Sequence, residues 1–179
     1  MIFYNVSGDQ NPRYFDGEYH PYPVGGFARI YEGTQPVGPL AIRIREGREP
    51  GDMLFSTPNV VSPRFLDLLH SIKATGFTPV PVSLVKDGVT VATFYALRIH
   101  GRGGPFDPLR SGASYCKTNP SVLFGHKAVY MDNSQWDGSD LFLIPGLGVS
   151  LFVTQRVAQS IETASLKNVI LTRNTEDSW

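Results

Sequence analysis

Residues 62–99 read SPRFLDLLHSIKATGFTPVPVSLVKDGVTVATFYALRI, and the way this stretch divides decides the fold class. Ser62 suits a helix N-cap, because its hydroxyl can accept from a free first-turn N–H. Pro63 falls at the first helical position, where its missing donor costs nothing. Phe65, Leu68, Leu69 and Ile72 recur at helical spacing, and Gly76 offers a left-handed stop. The pattern predicts a helix over Pro63 to Thr75 that buries this stripe. Two strand-like runs follow, Val80–Val85 and Val89–Ile99, around Lys86-Asp87-Gly88, a sound hairpin turn. The second run is long and rich in β-branched and aromatic residues, which predicts a central strand.

Toward the C-terminus, Gly101 to Gly112 reads as a surface loop. Lys127–Met131 predicts a short strand, Trp136 to Asp140 a turn, and Leu141–Ile144 an apolar segment. Val149–Val153 predicts another strand. Thr154 is placed to cap a second helix, Gln155 to Ala164, with Val157, Ile161 and Ala164 on one face. Val169–Thr172 predicts a last strand before a polar tail. On the N-terminal side, Ile2–Val6 and Leu40–Arg45 predict short strands, and the charged stretch Glu46–Asp52 predicts a loop. The expected fold is α+β, a mostly antiparallel sheet with two main helices packed on it. Residues 1–50 form an aromatic, turn-rich N-terminal region, and 51–179 form the α+β domain, or the two are continuous.

Composition narrows the function. With 41% apolar and 18% charged residues over 179 positions, the chain is a globular domain that builds a core. The formal net charge is +0, distributed as −2 over residues 1–60, +5 over 61–130 and −3 over 131–179. The basic residues of the middle third stand singly between apolar ones, as on a solvated face, and no Lys/Arg run suggests nucleic-acid binding. The single cysteine, Cys116, excludes an internal disulfide and fits a reducing compartment. Met1 to Asn5 has no signal-peptide character, and no apolar run approaches the roughly 20 residues a membrane span needs. A cytoplasmic location is expected.

The search for chemistry returns no catalytic residues, metal or cofactor. His20, His70, His100 and His126 are dispersed, and no CxxC pair accompanies them, which argues against zinc. Asp132, Asp137 and Asp140 miss the ligand spacing of a calcium loop, because Trp136 stands at its fifth position; they are expected to accept N–H bonds in turns. Gly101-Arg102-Gly103-Gly104 is followed by Pro105 and opens no helix, so it makes no phosphate cradle. Two features suit recognition. One is the aromatic cluster, with Tyr14, Tyr19, Tyr22 and Tyr31 as candidate partner-binding residues; the same residues also suit the core of a small sheet. The other is Trp136 beside Asp137, Gly138 and Asp140, which reads better as structural.

Several blocks carry a resemblance. They are Val60-Val61-Ser62 leading into Leu66, Leu68 and Leu69; Val80-Pro81-Val82; Tyr95-Ala96-Leu97; and Phe106-Asp107-Pro108-Leu109-Arg110-Ser111-Gly112. Two more specific blocks follow, Trp136-Asp137-Gly138-Ser139-Asp140-Leu141-Phe142 and Val153-Thr154-Gln155-Arg156-Val157 with Leu166-Lys167-Asn168-Val169. Over residues 53–173 the chain resembles the immunity proteins of bacterial polymorphic toxin systems, of the Myxococcus type. A sister group with paired CxxCG motifs has a similar ending, and this chain lacks those cysteines. The resemblance implies a non-enzymatic protein that neutralises a cognate toxin, encoded by an adjacent gene, by stoichiometric binding. A non-toxin interaction module or defence-system regulator is the alternative, and an enzyme acting on a toxin product ranks below both. The motif blocks coincide with strands, turns and caps, so they do not locate the toxin-binding surface.

Overall fold

The computed structural model describes residues 2–20, 40–56 and 59–174. The strands are β1 (Phe3–Gly8), β2 (Asp16–Tyr19), β3 (Leu40–Glu46), β4 (Val60–Val61), β5 (Phe77–Lys86), β6 (Val89–Ile99), β7 (Ser114–Cys116), β8 (Asn119–Gly125), β9 (Leu141–Phe142), β10 (Leu151–Thr154) and β11 (Val169–Asn174). Two α-helices are described, α1 (Pro63–Ser71) and α2 (Gln155–Ala164). The fold is α+β with mostly antiparallel sheets.

The strands are divided among three sheets, where the sequence suggests one. The first has the order β11-β1-β10-β9, the second β2-β3-β5-β6-β4, and β7 and β8 form a two-stranded ribbon. The pairing of β3 with β5 is parallel, against the antiparallel trend. The N-terminal strands are woven into both larger sheets. β1 lies between β10 and β11, and β2 and β3 extend the sheet that holds the β5–β6 hairpin.

The helix after Ser62 forms as the capping pattern requires. Phe65 N donates to Ser62 Oγ at 3.1 Å, and Phe65, Leu66 and Leu69 are buried. It stops four residues short of the expected Thr75, because Lys73 adopts a left-handed backbone (φ 51°) and Ala74 N reaches back to Leu69 O. Gly76 therefore has a different task. Its φ is +92°, its carbonyl accepts from His100 N and Gly101 N, and a Cβ there would lie 2.1 Å from Leu141 O. The glycine lets two segments of backbone touch.

The hairpin turns on Asp87 and Gly88, both at positive φ, the geometry that matches the strand twist. β5 begins earlier than predicted, at Phe77, and contains Pro79 and Pro81. β3 pairs only with Val82–Val85, so both prolines fall where β5 has a neighbour on one side, which is where a strand tolerates a missing N–H.

The strand expected at Lys127–Met131 is absent. Ala128 to Met131 are buried, but their partners belong to a loop: Lys127 N and Ala128 N donate to Ser111 O, and Tyr130 N donates to Ser111 Oγ at 2.9 Å. Only Met131 bridges to Phe106. A loop rich in Gly and Pro thus serves as pairing partner for an apolar run.

One core cluster joins Val6, Leu151 and Val153 of the first sheet, Leu97 and Ile99 of the second, Phe65 and Leu69 of α1, and Val157 and Ile161 of α2. A second, with Tyr19, Ile42, Leu84 and Phe94, lies on one face of the five-stranded sheet. A third packs Phe3, Phe142 and Phe152 edge-to-face or stacked at 5.8–6.1 Å. Among the described residues no helix is long and apolar enough to cross a membrane.

Candidate functional site

Buried charge is the first place to look for chemistry, because an ion removed from water persists only with partners. Asp140, 9% exposed, is such a case. Its Oδ2 accepts from Thr75 N (3.0 Å), Thr75 Oγ1 (3.1 Å) and Arg156 Nη2 (2.6 Å), and its Oδ1 from Thr154 Oγ1 (3.1 Å). Burial by itself raises this carboxyl; the hydrogen bonds from Thr75, Arg156 and Thr154, with the guanidinium charge, outweigh it and hold the group below its ordinary value. Arg156 also donates to Ile72 O, so the carboxylate ties the end of α1 to the start of α2. Thr154 does occupy the N-cap position of α2, but its hydroxyl makes no cap bond and donates to Asp140 Oδ1.

Asp52 is a second clamp. It is 6% exposed and accepts from Ser62 Oγ (2.6 Å), Arg64 Nη1 (3.3 Å) and Lys167 N (2.7 Å). Arg64 Nη2 donates onward to Ala164 O at the end of α2. In both networks each carboxylate oxygen accepts at least one bond that holds elements together.

The residues around Trp136 also make hydrogen bonds within the fold. Asp137 accepts from Ser139 N at 2.9 Å and Arg102 N at 2.8 Å. Trp136 donates to Ser139 O at 3.2 Å and packs on Phe142, while Gly138 takes the positive φ of the turn. Asp132 accepts from Ser134 N and Gln135 Nε2. Among the described residues no group of three or more His, Cys, Asp or Glu side chains could hold a metal ion. The Cys116 sulfur shares a hydrogen bond with Thr118, and this bond, with backbone donors, lowers the thiol from its ordinary value.

The candidate tyrosines separate. Tyr19 is 2% exposed within the core of the five-stranded sheet, and burial raises its phenol well above the ordinary value. It is a packing residue, not a surface anchor. Tyr14 is half-exposed, with the Arg13 guanidinium over its ring at 5.9 Å. Tyr22 and Tyr31 lie outside the described residues.

Tyr14 borders a cleft of about 190 Å³ where the loop before β2 meets the end of β3 and the start of β11. Aromatic side chains of Tyr14, Phe15 and Phe55 line it, with Phe55 left 43% exposed. Three carboxylates, Asp9, Asp16 and Glu46, share the lining. Asp16 is engaged by Ser56, whose N donates at 2.8 Å and whose hydroxyl also donates. Asp9 and Glu46 have no ion-pair partner among the described residues. Asn168, 8% exposed and at φ +60°, completes the lining; its Nδ2 donates to Met53 O at 2.8 Å and its Oδ1 has no partner. A second hollow of about 160 Å³ shares Phe55 and is walled by Met53, Leu54 and Leu151, with Asn59 committed to Val149 O.

Neither sequence pattern nor spacing pointed to Asp9, Glu46, Phe55 or Asn168 as one site. They are up to 159 positions apart in a chain of 179 and meet because β1 pairs with β11 and β2 pairs with β3. No protein-family model matches the chain, and no curated protein matches it significantly.

Proposed function

We propose that the chain is an immunity protein of the polymorphic-toxin type, acting in the cytoplasm by stoichiometric binding of a cognate toxin and not by catalysis. The observation that carries this reading is the acid–aromatic cleft bordered by Tyr14, Phe55, Asp9 and Glu46. Aromatic side chains with few rotatable bonds beside unpaired carboxylates suit protein recognition. At about 190 Å³ the cleft is smaller than the roughly 300–1,000 Å³ of sites that enclose drug-sized ligands. Among the described residues its lining includes no histidine, cysteine, serine or lysine, the side chains from which an activated nucleophile is most often built. The buried carboxylates elsewhere, Asp52 and Asp140, accept scaffold hydrogen bonds on both oxygens, which supports a structural part for them and a binding role for the surface.

The test is co-expression with the product of the adjacent gene. The expected result is co-purification at a fixed stoichiometry and rescue of growth when that product is toxic. Co-purification with a non-toxic partner moves the chain to the interaction-module alternative. Rescue without a complex, by sub-stoichiometric amounts of the chain, overturns the binding reading in favour of an enzyme.

A further inference from the structure

We infer that the cleft between the loop before β2 and the start of β11 receives a guanidinium side chain presented by the partner; this deepens the binding reading above and rests on it. The charged groups that the described lining offers are all carboxylates, Asp9, Asp16 and Glu46. Asp9 and Glu46 carry negative charge with no ion pair among the described residues. One N–H of the Asn168 amide donates to Met53 O, and its Oδ1 has no partner among the described residues. The complement of such a set is a cation with several N–H donors.

The aromatic lining narrows the cation further. Tyr14, Phe15 and Phe55 line the cleft, and a planar guanidinium can stack on an aromatic face while its edge donates to carboxylates. The fold already uses this contact beside the cleft, with Arg13 over Tyr14 at 5.9 Å and the Lys86 ammonium over Phe15 at 5.4 Å. Of these two cations, Arg13 pairs with Glu49 and Lys86 donates to Gly47 O, and neither forms an ion pair with Asp9 or Glu46. The volume of about 190 Å³ suits one inserted side chain.

The experiment titrates the full-length, isotope-labelled chain with N-acetyl-arginine methylamide and, separately, with the citrulline counterpart, which keeps the shape and loses the charge. Amide shifts are followed by two-dimensional NMR. The expected result is a saturable response with the arginine probe, in the millimolar range on the order expected for a single side chain. It should be confined to Asp9, Tyr14, Phe15, Asp16, Glu46, Phe55 and the Asn168 side-chain amide. Citrulline should bind at least about fivefold more weakly. The double variant D9N/E46Q, which removes exposed or half-exposed charges only, should reduce the arginine response to the citrulline level with the spectrum otherwise retained. Equal responses to both probes, or no saturable shift at these positions with the unsubstituted chain, overturn the inference. Either result leaves toxin binding to be judged by co-purification alone, so the two readings fail separately.

Discussion

Asp140 gives the sharpest quantitative test of how this fold is held. Asp140→Ala removes four hydrogen bonds at once, from Thr75 N, Thr75 Oγ1, Thr154 Oγ1 and Arg156 Nη2. A buried donor left unsatisfied costs roughly 1–3 kcal/mol, and a hydrogen bond to a charged group contributes roughly 1.5–3 kcal/mol. Thr75 is exposed and the Arg156 side chain is 52% exposed, so both recover water and the lower ends apply. The expected loss is about 2–3 kcal/mol. Asp140→Asn behaves differently. Its carbonyl can take the place of Oδ2 and keep Thr75 and Arg156, while its NH₂ donates to Thr154 Oγ1, a hydroxyl that can reverse its role. Only the charge is lost, for about 1 kcal/mol. Urea denaturation reads the difference, and thermal melting should show a fall of roughly 5–10 °C for the alanine variant, at roughly 2–4 °C per kcal/mol. The pH dependence has a definite sign. Because the folded carboxyl is held below its ordinary value, its contribution is complete above about pH 4 and is lost as the pH falls through the lowered value. The unsubstituted and Asp140→Ala curves should therefore converge in acid. If Asn costs as much as Ala, or if Ala costs less than about 0.5 kcal/mol, the network is not what joins α1 to α2 and the reasoning fails.

Other outcomes follow from the same geometry. Leu69→Asp places a charge at a position of 0% exposure and should cost more than about 3 kcal/mol; an unchanged melting curve refutes the buried stripe of α1. Tyr19→Ala should destabilise by roughly 3–5 kcal/mol, the range for an aromatic removed from a core. Tyr14→Ala should leave denaturant stability within about 1 kcal/mol and weaken partner binding, and the reverse pattern refutes the assignment of these two residues. The chain is neutral overall, so the partner on-rate should change by less than about tenfold between low and physiological ionic strength. A fall of about a hundredfold or more indicates a strongly basic toxin steered by charge.

Much of the secondary structure was legible because its signals are local. The Ser62 cap, Pro63 and the apolar stripe announce α1, the Asp87-Gly88 turn announces the β5–β6 hairpin, and α2 runs over the span its periodicity predicts. The ribbon of β7 and β8 and the short strand β2 were not anticipated. β2 reads DGEY and carries no apolar alternation, since it is held by pairing with β3 and by the burial of Tyr19. The strand expected at Lys127–Met131 failed for the converse reason, since an apolar run reports burial and not the identity of the hydrogen-bond partner, which here is Ser111.

The sequence by itself determined the elements whose cause lies within a few residues: caps, turns, hydrophobic period, and the lack of ligand spacing for zinc or calcium. Tertiary structure alone decided that the strands divide among three sheets, that Tyr19 is core while Tyr14 is surface, and that Asp140 and Asp52 are clamps. It alone brought Asp9, Glu46, Phe55 and Asn168 around one cleft. The physical reason is range. A cap or turn is stabilised by groups two to four residues away, whereas strand pairing such as β1 with β11 joins positions more than 160 residues apart, and no local pattern encodes which distant backbone will satisfy a given N–H.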